Sequence, residues 1–168
     1  EDLPNEARRR HHLQVLFEAD PKNEIVYADL LSVTPEDEQA PILRLRMNAT
    51  PNDDERQRLR ASLGLSLAKS DNAEDKLEAQ QLLESFRMTQ STNEEVNQAL
   101  RSLLADGEHW SQLASLIEEE LWLTDDKQER VRLLIERARC REREQALPSM
   151  LVEGWFDVLA EDASQPDA

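Results

Sequence analysis

Few residues of this 168-residue chain combine the type and spacing that chemistry requires. His11 and His12 are adjacent, so on a helix their rings point about 100° apart and cannot readily share a metal. His109 stands alone beside Trp110. The run Glu118-Glu119-Glu120 reads as a solvated face with one salt-bridging member. Gly64, Gly107 and Gly154 are the only glycines and are too scattered for a phosphate-cradling loop. No local Ser-His-Asp or Cys-His signature is recognisable. The single cysteine, Cys140, excludes an internal disulfide and a thiolate metal cluster. It lies among Arg137, Arg139, Arg141 and Arg143, cations that could lower its pKa. A reactive thiol and a small half-buried residue are both open readings. No catalytic residue, metal or cofactor is expected.

Two features invite a binding role. From Lys127 to Arg143 the chain carries seven basic residues against three acidic ones. These charges could pair internally, Arg132 with Glu136 at i,i+4 and others with Glu118 to Glu120 of the preceding helix. Internal pairing is the leading expectation, and the alternative is a patch for an acidic segment, because Arg grips carboxylates with two parallel hydrogen bonds. Arg132, Glu136, Arg139 and Arg143 are the candidate contacts on that helix. The other feature is Trp122, which follows the end of an apolar stripe at Leu121 and shares a polar flank with Ser111, Ser115 and Glu118. It either packs on the next helix pair or anchors a partner.

The whole-chain balance points elsewhere. Lys and Arg total 20 and Asp and Glu total 36, a net charge of −16. Such a charge repels phosphate backbones and anionic membrane surfaces, so no nucleic-acid partner is expected. No apolar run nears the roughly 18 residues that span a bilayer. A lone cysteine favours a reducing compartment such as the cytoplasm, and a periplasmic location stays open. The chain opens Glu1-Asp2 without a Met, which fits a piece of a longer protein.

The elements that must position these residues are helical. Only three glycines, with Leu, Ala, Glu, Arg and Gln abundant, argue for an all-α fold. Proline and short polar clusters divide the chain into nine helix-sized segments. Thr34-Pro35 and Thr50-Pro51 read as an N-cap with Pro in the first turn, and Thr92 with Glu95 as a capping box. Thr124-Asp125 reads as the start of the eighth helix and Gly107 as the stop of the sixth. Leu100, Ile135 and Phe156 sit centrally on apolar stripes and are expected in the core. The tail over 162–168 is small and polar and is expected to fray.

Helix starts near Asn23, Asp53, Asn93 and Asp126 recur at a mean interval of about 34 residues, the tetratricopeptide period. The text recurs as well. Asp53-Asp54-Glu55-Arg56-Gln57-Arg58-Leu59 parallels Asp126-Lys127-Gln128-Glu129-Arg130-Val131-Arg132-Leu133, with Glu55 and Glu129 spaced by 74 residues. Asn23-Glu24-Ile25-Val26 parallels Asn93-Glu94-Glu95-Val96. On these segments the chain resembles divergent bacterial tetratricopeptide-repeat proteins over most of its length. The resemblance implies a right-handed superhelix of antiparallel helix pairs, about nine helices in one domain over 1–168. An orphan helix over 5–19 precedes pairs over 23–48, 53–88, 93–123 and 126–160, so the chain starts within a longer solenoid. The resemblance also places Arg139, opposite Leu151, near a position the family keeps small. It puts Glu136 and Cys140 where the family's carboxylate clamp would need Lys and Asn, so that clamp is not carried over.

The expected function is a non-catalytic scaffold or adaptor that binds a peptide or helix on its surface. Two other classes remain: a helical accessory or regulatory domain of a larger enzyme or signalling protein, and a homo-oligomeric structural adaptor.

Overall fold

The computed structural model describes residues 3–162, so the polar tail over 163–168 lies outside the described residues. Within them the fold is all-α: nine α-helices, one short 3-10 turn and no strand. The helices are α1 Leu3–Ala19, α2 Glu24–Ser32, α3 Ala40–Ala49, α4 Asp53–Leu67, α5 Ala73–Arg87, α6 Glu94–Asp106, α7 Trp110–Leu123, α8 Lys127–Arg143 and α9 Pro148–Glu161, with the 3-10 turn at Glu36–Glu38. Two compact units divide the chain, over 1–100 and 101–168, and the boundary falls inside α6.

Within each unit, helices pack mainly on their chain neighbours. In the first unit α1 packs on α2, α2 on α3, α3 on α4, and α4 on α5. Its core holds Phe17, Leu30, Leu43, Leu63 and Leu83, each at most 1% exposed. In the second, α8 packs on both α7 and α9. Its core centres on Ile117, Leu133, Ala138 and Val158. The faces that meet are those where apolar residues recur three and four apart.

The threonines read as helix starts close the preceding helices instead. The hydroxyls of Thr34, Thr50 and Thr124 donate to the carbonyls of Leu30, Arg46 and Glu120, four residues back. A Thr hydroxyl reaches such a carbonyl easily, and the bond satisfies a group that the helix end leaves open. The caps are Asx residues further on. Asn23, Asn52, Asn72, Asn93 and Asp126 each accept a backbone N–H in the first turn of the following helix. The stop after α6 also lies one residue later than Gly107: Glu108 takes the left-handed conformation, φ 56°, and His109 N–H donates to Leu104 O.

The 74-residue echo in the sequence is an echo in geometry. Arg56 donates from Nη2 to Thr50 O at 2.9 Å, and Arg130 from Nη1 to Thr124 O at 3.2 Å. Asn52 and Asp126 cap at the matching positions. Small residues meet at matching places too. Gly64 on α4 faces Ala79 and Leu83 on α5, and Gly154 on α9 faces Ala138 on α8. The position at which α8 admits α9 is therefore Ala138, one residue from Arg139, which points outward and is exposed. From α4 to α8 the offset is 74 residues, and from α5 to α9 it is 75, as Ala79 against Gly154 shows.

Candidate partner-binding cleft

In the second unit, α7, α8 and α9 enclose a cleft of about 400 Å³. Each helix contributes a stripe at helical spacing. Leu121 and Trp122 come from the end of α7; Arg130, Leu134 and Arg137 share a face of α8; Asp157, Ala160 and Glu161 share a face of α9. Glu118 and Asp125 complete the rim.

Arg137 is the buried charge of this cleft, 8% exposed. Its Nη2 donates to Asp157 Oδ2 at 2.5 Å, and Nη1 lies 4.0 Å from Glu118 Oε1. Its Nε is buried and has no hydrogen-bond partner among the described residues. Arg130 ties the cleft's edges together. It donates to Leu121 O and Thr124 O, closing the end of α7, and lies 3.6 Å from Glu161 on α9. Trp122 stands at the rim, 85% exposed. The lining carries four carboxylates, Glu118, Asp125, Asp157 and Glu161, against two guanidinium groups, an excess of two negative charges.

Of the five residues singled out from the sequence, the cleft contains only Trp122. Arg132 does not pair with Glu136 at the expected 4-residue spacing. It grips Glu129 instead, one turn toward the helix start, Nε to Oε2 at 2.9 Å and Nη2 to Oε1 at 2.5 Å. That bidentate bond holds the Glu129 carboxyl below its usual range and raises Arg132. Glu136 is half-buried and lies 4.0 Å from Arg101, which donates to the buried Glu120 at 2.9 Å. Arg143 sets its guanidinium 4.6 Å from the centre of the Trp110 ring. Arg139 is exposed and engaged by an interaction of its own. The arginines of α8 are thus largely committed within the chain.

Sequence reasoning missed Arg137 and Asp157 as a pair. The signal was present in the 74-residue echo, which sets Arg137 opposite the apolar Leu63 and marks it as a charge in a core position.

Cys140 is the packed residue and not the reactive thiol. Burial pushes its thiol up to about 11, helped by Glu136, and the opposing pull of Arg143 does not offset this. Phe156 is also not a core residue. It is 65% exposed and lines a shallow apolar hollow of about 270 Å³ with Leu151, Val152, Trp155 and Leu159. His11, His12 and His109 are exposed, and among the described residues no group of three or more His, Cys, Asp or Glu is placed to hold a metal. No helix among them is long and apolar enough to cross a membrane.

Comparison with protein-family models, with curated proteins and with solved structures finds no match to this chain.

Proposed function

We propose that this chain is a non-catalytic protein-binding module of tetratricopeptide-like helix pairs, in which a partner's peptide or helix docks in the α7–α9 cleft. The observation that carries the reading is Trp122. An indole 85% exposed at the rim of a cleft leaves a large apolar surface in water. Covering such a ring contributes strongly to association, and Trp is enriched among residues that dominate interfaces. The packing of neighbours in chain order and the period of about 34 residues support the helix-pair reading.

The test is selection of a displayed random-peptide library on the folded chain. Sequences that bind are expected, with affinity at least about tenfold weaker for Trp122→Ala, in line with a hot-spot residue. A library that yields no binder, or only binders indifferent to Trp122→Ala, overturns the reading.

A further inference from the structure

The chain contains its own control for the cleft. Residues that build the local framework recur between the units: Thr124 matches Thr50, and Arg130 matches Arg56, with the same bond between them. Other residues that face the cleft, Arg137, Asp157, Glu161 and Trp122, do not recur. Where α8 has Arg137, α4 has Leu63, 1% exposed. Where α9 has Asp157 and Glu161, α5 has Leu82 and the buried Phe86. Where α7 has Trp122, α3 has Asn48.

An apolar trio on one copy of the scaffold is thus a charged trio on the other. The fold does not require the charges, since the first unit packs hydrocarbon at those positions. Burying the Arg137 guanidinium carries a desolvation cost, and its pairing with the half-exposed Asp157 offsets only part of it. Its presence in one copy only is the mark of a function rather than of packing.

We propose that the cleft takes a Lys or Arg side chain of a partner peptide, seated between the Trp122 ring and the carboxylates of Glu118, Asp157 and Glu161. This rests on the docking reading above and names the partner's chemistry. The cleft has two carboxylates more than guanidinium groups, within a chain of net charge −16, so a cation is attracted both locally and from a distance. The exposed indole face offers a cation–π contact. Arg137 acts as a positioning residue: it engages Oδ2 of Asp157 and holds that carboxylate toward the cleft.

The peptides selected on the wild-type chain decide the matter. They are expected to share a Lys or Arg at one position, and replacing it by norleucine should weaken binding at least about tenfold, the scale of a desolvated charge contact. Affinity should also fall between about 50 mM and about 300 mM NaCl, as screening shortens the field. A double variant, Arg137→Leu with Asp157→Leu, restores the apolar pair of the first unit. It should melt no lower than wild type and lose the cationic peptides. Asp157→Asn, which keeps the shape, serves if the double variant fails to fold and should weaken the same peptides. Neutral or acidic binders that still depend on Trp122 would overturn the cationic site and leave the docking reading standing. Binders indifferent to Trp122→Ala would overturn both.

Discussion

At the scale of single residues, burial outweighs neighbouring charge. Cys140 sits in a run of arginines, yet it lies on the face of α8 that turns inward and is 3% exposed. Arg139 and Arg143 are exposed and screened by solvent, while desolvation of a thiolate is not screened at all. A thiol held at about 11 instead of the reference 9 has about a hundredfold less thiolate at pH 8. Alkylation by iodoacetamide at pH 8 should therefore proceed at least about a hundred times more slowly in the native chain than in urea. The raised value also gives a sign. The stability contributed by the neutral thiol is complete below pH 9 and is lost as pH rises through about 11. Native labelling as fast as in urea would place the sulfur at the surface. Arg132 illustrates the same limit of linear reading, since spacing offered Glu136 and Glu129 equally and the folded helix pairs it with Glu129.

At the scale of helices, most of the fold was legible and its edges were not. Nine apolar periodicities give nine helices among the described residues, because a stripe at helical spacing has few other ways to be buried. The ambiguity lay in residues that can serve two purposes. Thr50 and Thr124 have the chemistry of an N-cap but bond backward, since an Asx two residues on fills the cap better. Periodicity also cannot say whether a stripe is covered. Leu100 is 1% exposed, whereas Phe156 and Val152 on α9 are 65% and 55% exposed. Leu100→Ala should thus destabilise by roughly 2–5 kcal/mol, and Phe156→Ala by less than about 1 kcal/mol. Urea melts showing equal losses would mean that the outer face of α9 is buried. Candidate-site legibility failed for a related reason. Trp122 stands out in the sequence as an apolar residue on a polar flank, but Arg137 and Asp157 are 20 residues apart and meet only once α8 and α9 are in register. Helix ends offer one more test. Gln145 closes α8 at φ 56°, a conformation that costs a residue with a Cβ about 1 kcal/mol and costs glycine little. Gln145→Gly should raise stability by up to about 1 kcal/mol, and a lower melting temperature would show that the side chain makes a contact worth more than the strain.

At the scale of the whole molecule, the dominant quantity is a net charge of −16 on 168 residues. Self-repulsion among so many like charges opposes compaction, and it acts over distances that salt screens. The short-range attractions respond differently. Exposed pairs such as Arg132–Glu129 contribute less than about 1 kcal/mol and weaken with salt. The Arg101–Glu120 pair, with side chains only 12% and 10% exposed, is screened far less. The pairs among the described residues are mostly exposed and contribute little each, so the net repulsion is the larger salt-sensitive quantity. Raising NaCl from about 10 mM, where charges interact over some 30 Å, to about 0.5 M should consequently raise the melting temperature at pH 7. Replacing Glu120 by Gln should lower stability at both ionic strengths, because it leaves the half-buried Arg101 without its countercharge at 2.9 Å. If salt instead lowers the melting temperature of the wild-type chain, exposed ion pairs outweigh the net repulsion, and the acidic surface is a stabilising network rather than a field that draws cationic partners.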